Sequence, residues 1–205
     1  MQSIPTYWTE AKDYLRAVDP ILGAVINAHE EPPLRSKGRV FETLVHAIVG
    51  QQISAKAADA VWGRLVALVG EIEPDAVLQH SVEALRGVGL SGRKVEYIQG
   101  LAEHAGWVED FDWSPLDDDG VRKKLTALRG VGPWTAEMVL MFSLTRPDVF
   151  PIGDIGVIRS IEDLYAQGKR LPIEEIQAIG LKWAPYRTVG CWYLWRHLDA
   201  EPVEY

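Results

Sequence analysis

Leu128-Arg129-Gly130-Val131-Gly132-Pro133-Trp134-Thr135-Ala136 is the stretch on which the fold turns. The residues before it, Arg122-Lys-Lys-Leu-Thr-Ala-Leu128, carry a helical pattern. The residue after its second glycine is a proline, which suits the first turn of a new helix and cannot continue an old one. A Gly-x-Gly can open a dinucleotide fold, but that fingerprint needs a preceding strand and a third glycine. Here two helices meet in a tight turn. Glycine lets such a turn take positive φ and lets another backbone come close. Its N–H groups and the start of the next helix then form an anion site suited to a phosphate.

Working outward, the chain reads as helical nearly throughout. Asp19-Pro20 is an N-cap with proline in the first turn, ahead of Ile21, Val25 and Ile26. Phe41, Leu44, Val45 and Ile48 recur at helical spacing until Gly50-Gln51-Gln52-Ile53 interrupts them. Ser54 caps a second helix through Ala57, Val61 and Leu65, which Gly70 stops. Further helices are expected at 81–85, 91–105, 121–128 (behind the Asp117-Asp-Asp119 cap), 133–144, 154–164, 172–183 and 186–198. Val149-Phe-Pro-Ile152 is extended at most, because of its proline. The class is all-α. One repeat appears: Leu85-Arg-Gly-Val-Gly89 recurs as Leu128-Arg-Gly-Val-Gly132, so the first copy is a candidate second turn of the same kind.

Composition bounds the function. With 205 residues and 47% hydrophobic content the chain can bury a real core. No window approaches the roughly 18 apolar residues of a membrane helix. The first ten residues lack the pattern of an export signal, so a cytoplasmic, non-secreted protein is expected. One cysteine, Cys191, excludes an internal disulfide and any cysteine-ligated iron–sulfur cluster. The five histidines fall singly, without metal-ligand spacing. A net charge of −8 argues against a nucleic-acid partner when taken alone. Distribution matters more than the sum. Arg86/Arg93/Lys94 and Arg122-Lys-Lys124/Arg129 lie beside the two glycine turns.

Leu128-x-Gly130-Val-Gly132-Pro-Trp-Thr-Ala136 followed by Phe150-Pro-Ile-Gly-Asp154 resembles the helix–hairpin–helix/Gly-Pro-Asp DNA glycosylases, most of all the 3-methyladenine DNA glycosylase II branch. The likeness runs from about Phe41 to the C-terminus, through Gly50-Gln-Gln-Ile-Ser54, Gly89-Leu-Ser-Gly-Arg-Lys94 and Trp183-Ala-Pro-Tyr-Arg187. It implies one glycosylase domain over 1–205, built as two helical lobes, about 36–150 and about 1–35 with 151–205. A cleft would separate them, with Asp154 at the junction and no N-terminal β domain. It implies that Asp154 is the catalytic carboxylate, twenty positions beyond Trp134. Asp148 is the nearest competitor but precedes Phe150-Pro151 and fits the pattern poorly.

The remaining roles are also what the resemblance implies. Trp134, Met138 and Trp195 line the base pocket, with Met138 standing where some relatives have tyrosine. Trp134 occupies the position of the Schiff-base lysine of bifunctional relatives, so the enzyme is expected to leave an abasic site without nicking the strand. Gln51, Gln52, Gly130, Val131, Gly132 and Thr135 contact DNA, with Gln52 as the wedge that fills the space of the flipped base. Backbone carbonyls of Thr126, Leu128 and Val131 hold a Na+ or K+ ion, and no cofactor is required. The expected partner is double-stranded DNA carrying alkylated bases such as 3-methyladenine and 7-methylguanine, and the protein acts as a monomer. From the residues alone Asp154 reads first as a plain helix cap, and the glycine turns as phosphate grips of a non-enzymatic DNA-binding module. A glycosylase for another damaged base is the third reading.

Overall fold

The computed structural model describes residues 3–29, 31–104 and 108–199. Among these residues there are twelve α-helices, one π-helical turn and no strand, only an isolated bridge between Ser3 and Ser36. No helix among them is long and apolar enough to cross a membrane. The chain divides into two compact units, Met1–Lys37 with Thr145–Glu204, and Gly38–Leu144.

The first unit holds α1 (Trp8–Val18), α2 (Pro20–Ala28), α10 (Ile155–Ala166), α11 (Ile173–Leu181) and α12 (Arg187–Leu198). Its centre is α12, whose residues Thr188 to Leu194 are all buried and which packs on α10, α2, α1 and α11. Asp19 is the polar anchor of the unit. It is 4% exposed, and its Oδ1 caps α2 by accepting from the N–H groups of Ile21 (3.0 Å) and Leu22 (3.1 Å). Its Oδ2 accepts from the Tyr165 hydroxyl (2.7 Å) and the Trp183 indole N–H (2.9 Å). Burial pushes this carboxyl up. The hydrogen bonds from Trp183, Tyr165, Leu22 and Ile21 outweigh that and hold it below its ordinary 3.8. The short segment before α2 is thereby tied to α10 and to the loop after α11.

The second unit holds α3 (Val40–Gly50), α4 (Ala55–Val69), α5 (Pro74–Leu78), α6 (Val82–Gly87), α7 (Gly92–Glu103), α8 (Asp118–Thr126) and α9 (Pro133–Met138). Helix α3 is its axis: Phe41, Leu44, Val45, Ala47, Ile48 and Val49 have no exposed surface. Truncating one such side chain, for example Leu44→Ala, costs about 2–5 kcal/mol. The start of α3 is capped from far along the chain. Glu109 accepts from Val40 N through Oε2 (3.1 Å) and from Phe41 N through Oε1 (3.2 Å).

Two expectations are corrected here. The predicted helix over 133–144 is not uniform. It is α-helical only to Met138 and continues as a π turn over Val139–Ser143, closed by Leu144 N donating to Val139 O at 3.0 Å. This wider turn lies in the core, where the Ser143 hydroxyl bonds Thr43 Oγ1 (2.8 Å) and Arg39 O (3.2 Å).

The sequence repeat is also not a structural repeat. In the first copy α6 runs on through Gly87 and the positive φ falls on the last glycine, Gly89 (+106°). In the second, α8 stops at Thr126 and the positive φ falls on the first glycine, Gly130 (+87°). Arg64 packs on the first turn. Its Nε donates to Val88 O at 2.8 Å, and its guanidinium lies 2.9 Å from where a Gly89 Cβ would be. The first turn is filled by a side chain of the same unit. Of the predicted helix 91–105, the last residue Ala105 lies outside the described residues.

Candidate active site and candidate DNA-binding hairpin

The hairpin is built from the end of α8 to the start of α9. Asp117 Oδ1 caps α8 by accepting from Gly120 N at 2.8 Å. Past Thr126 the chain tightens: Leu128 N donates to Leu125 O (3.0 Å) and Val131 N to Leu128 O (3.2 Å). Gly130 is obligatory for two reasons. Its φ is +87°, and a Cβ there would lie 2.3–2.8 Å from Cγ, Cδ2 and Cβ of Tyr97. Gly132 has open space where its Cβ would be and a φ of −93° that any residue adopts. Pro133 opens α9, and no side chain caps that end. An uncapped helix start beside a small, outward-facing glycine can accept an anionic oxygen.

The interrupted stretch after α3 is bound to this hairpin. The Gln51 side-chain amide donates to Gly130 O (3.0 Å) and to Thr135 Oγ1 (3.1 Å). Lys94, in the first turn of α7, donates its Nζ to Val49 O (2.7 Å) and Gln51 O (2.9 Å). Burial pushes the Lys94 ammonium below its usual range. Between these ties Gln52 is exposed at the loop tip with a positive φ of 59°. Ser54 then starts α4, its Oγ accepting from Ala57 N. Gln51 and Thr135, grouped by sequence with the DNA contacts, thus also bond each other inside the unit. Val131 is 6% exposed and Met138 1% exposed, so both side chains sit in the core. Trp134 is half-buried, with its ring edge 4.0 Å from the Cβ position of Gly50.

The carbonyls of Thr126, Leu128 and Val131 are neutral oxygen donors, and no cluster of acidic, His or Cys side chains for a metal occurs among the described residues. Such a donor set suits a monovalent cation rather than zinc or another transition metal. Leu128 O already accepts from Val131 N and has a second lone pair for an ion.

The aspartate lies in the other unit. Phe150-Pro-Ile-Gly-Asp154 is a compact turn in which Ile152 N donates to Phe150 O and Asp154 N to Pro151 O, both at 2.9 Å. Phe150 anchors it, its ring filling the space above Gly180, where a Cβ would fall 2.5 Å from Cζ. Asp154 is the N-cap of α10. Its Oδ1 accepts from Val157 N (2.8 Å) and from the indole N–H of Trp195 (3.0 Å). Gly156 makes room for this pairing: a Cβ there would lie 3.0 Å from both Asp154 Oδ1 and Trp195 Cδ1. Further along the same two helices, the Ser160 hydroxyl bonds Leu194 O (2.6 Å) and Asp163 pairs with His197 (2.6 Å). Asp148 is committed elsewhere. Both its oxygens are bonded by Arg187, at 2.6 Å from Nε and 2.8 Å from Nη2.

Sequence reasoning did not single out Tyr97 or Gly156, and it counted Lys94 only among the basic residues beside the first glycine turn. Lys94 falls inside a stretch that carries the family likeness, but nothing local marks a lysine that bonds carbonyls 43 and 45 positions away.

A hairpin opening a helix and an aspartate capping another define a class, and comparison with known proteins agrees with it. Residues 45–185 match the family model described as HhH-GPD superfamily base excision DNA repair protein. The chain belongs to this superfamily. It is 30% identical over 208 residues to DNA-3-methyladenine glycosylase 1 of Schizosaccharomyces pombe, covering 95% of this chain and 90% of that one. The crystal structure of a Bacillus halodurans DNA-3-methyladenine glycosidase matches with a TM-score of 0.72 and 38% identity, over 97% of this chain and 93% of that one. The S. pombe 3-methyladenine DNA glycosylase in complex with abasic DNA matches with a TM-score of 0.81 and 27% identity, over 91% and 95%.

Proposed function

We propose that the chain is a monofunctional DNA glycosylase that flips alkylated bases, such as 3-methyladenine and 7-methylguanine, out of duplex DNA and hydrolyses their bond to the sugar. The observation that carries this reading is the Asp154 carboxylate, held at the start of α10 by one backbone N–H and by the Trp195 indole N–H. The relatives named for 3-methyladenine support the choice of lesion.

Cleaving a base from its sugar develops positive charge on the sugar ring, as in other glycosidic cleavages. A carboxylate fixed beside that ring stabilises the charge and orients the attacking water. An aspartate pinned by two donors on one oxygen is already in position, so little reorganisation opposes the step. The electron-rich face of Trp195, beside Asp154, favours a cationic alkylpurine by about 0.5–2 kcal/mol. Trp134 offers no amine, so no Schiff base forms and the product strand keeps an abasic site. The exposed, left-handed Gln52 is the side chain proposed to occupy the vacated stack. The start of α9 and Gly132 take a phosphate, and a Na+ or K+ ion on the carbonyls of Thr126, Leu128 and Val131 would lend that site positive charge. Such a grip needs few basic side chains, which reconciles DNA binding with the acidic composition.

The test is release of free 3-methyladenine and 7-methylguanine from methylated DNA by the wild type and by Asp154→Asn. The variant should bind DNA and lose about 10²–10⁴-fold in single-turnover rate. Equal activity of the two proteins, or a wild type inert on every alkylated substrate, would remove Asp154 from this role. Strand cleavage without added alkali would overturn the monofunctional assignment.

A further inference from the structure

Lys94 lies outside every role assigned so far, yet its surroundings are specific. It sits in the first turn of α7, and its ammonium leaves that helix to meet the C-terminal end of α3. Two main-chain carbonyls receive it, Val49 O at 2.7 Å and Gln51 O at 2.9 Å, one on each side of Gly50. A cation at a helix C-terminus is favoured by the carbonyls that have no partner within the helix. Here it does more than end the helix, because the second carbonyl belongs to the residue that leads into the exposed tip. The other side of the same residue is fixed too, since the Gln51 amide reaches Gly130 O and Thr135 Oγ1. Gln51 is thus held by its main chain from α7 and by its side chain from the hairpin. Gln52 follows directly, in a left-handed conformation that a glutamine adopts only at a cost and keeps only if its neighbours hold it.

We propose that Lys94 is the positioning residue of the lesion-probing loop, its ammonium clamping Val49 O and Gln51 O so that Gln52 is presented in one fixed conformation beside the hairpin. This rests on the reading of the chain as a base-flipping glycosylase. A preset wedge lowers the cost of inserting into the stack, since no loop ordering remains to be done when DNA binds. Two of the three N–H donors are committed to main-chain carbonyls, so on this proposal Lys94 acts through the shape of the loop and not as a direct phosphate contact.

The two contributions separate in one experiment. Lys94→Met keeps the length of the side chain and removes its donors. Lys94→Gln, whose amide can donate, is carried in parallel so that folded protein is in hand. Affinities are measured for an undamaged duplex and for one carrying a tetrahydrofuran abasic analogue, over a range of salt, together with the single-turnover rate of 3-methyladenine release. The expected result is a loss of about ten- to a hundred-fold in preference for the abasic duplex and in rate, the size set by losing a charge-assisted hydrogen bond. The slope of log affinity against log salt should not move. Lys94→Cys treated with 2-bromoethylamine restores an ammonium at the same reach and should recover preference and rate. Variants with wild-type preference and rate overturn the proposal. So does a salt slope smaller by about one, because that marks a phosphate contact. A wild type that neither releases base nor prefers the abasic duplex sinks the glycosylase reading first, and this proposal with it.

Discussion

The two glycines of the hairpin should respond oppositely to the same methyl group. At Gly130 an alanine must adopt a φ near +87°, which costs roughly 1–2 kcal/mol for an L-residue. Its Cβ would also lie 2.3 Å from Cγ of Tyr97 and 2.8 Å from its Cβ, too close for the ring to yield by a rotamer change alone. Overpacking of this kind adds about 1–3 kcal/mol. The sum for Gly130→Ala is about 2–5 kcal/mol, a large share of the 5–15 kcal/mol that holds a typical domain. At about 2–4 °C per kcal/mol for a chain of this size, the melting temperature should fall by about 4–20 °C. Gly132→Ala meets nothing within 4 Å and needs no unusual φ, so its stability should stay within about 0.5 kcal/mol of wild type. Its methyl group, however, would stand in the space proposed for a phosphate. Thermal melts followed by circular dichroism and fluorescence anisotropy with a labelled duplex measure both quantities. Gly132→Ala should bind DNA about ten-fold more weakly with an unchanged melt. If Gly130→Ala melts within about 2 °C of wild type, the steric argument is wrong. If Gly132→Ala binds normally, the start of α9 is not where DNA is gripped.

Two further perturbations test the other unit. Asp19→Asn removes a charged acceptor from Tyr165, Trp183 and the start of α2, and should cost about 2–3 kcal/mol at neutral pH. Because the folded carboxyl titrates below its ordinary 3.8, its contribution is complete above that pH and is lost as pH falls through the lower folded value. The stability gap between wild type and Asp19→Asn should therefore shrink below about pH 4 in urea titrations, and a gap that widens in acid would contradict the assignment. Trp195→Phe keeps an aromatic face but deletes the N–H that Asp154 accepts. Single-turnover release should slow by about ten-fold or more with little change in affinity for abasic DNA, whereas a lost affinity at normal rate would make Trp195 a binding wall only.

Legibility followed the range of the interaction. Asp19, Ser54, Asp117 and Asp154 read as helix caps, and each side chain accepts from an N–H two or three residues on. Such caps are local chemistry, so the residue type and the apolar pattern after it suffice. The register of the two Leu-Arg-Gly-Val-Gly copies was not legible, because the groups packed on each turn, Arg64 on the first and Tyr97 on the second, are distant in sequence. The π turn after Met138 and the Glu109 cap on α3 were hidden for the same reason. In the candidate site, Asp154 was legible on its own only as a helix cap after a Pro-Ile-Gly turn, and its catalytic role came from the family resemblance. That its acceptor oxygen is shared with Trp195, 41 positions later, is a fact of tertiary packing.

The bonds from Gln51 and Lys94 bear on how this hairpin could be moved into another protein. A graft that carried only the residues between Thr126 and Ala136 would arrive without the amide that bonds Gly130 O and Thr135 Oγ1, and without the ammonium that holds that amide's own main chain. The transferable unit is discontinuous, made of three sequence segments around residues 50–53, 91–94 and 126–136. A designer who wished to move this hairpin and its neighbouring loop to another helical scaffold would have to transplant all three together, or rebuild the two ties in the host.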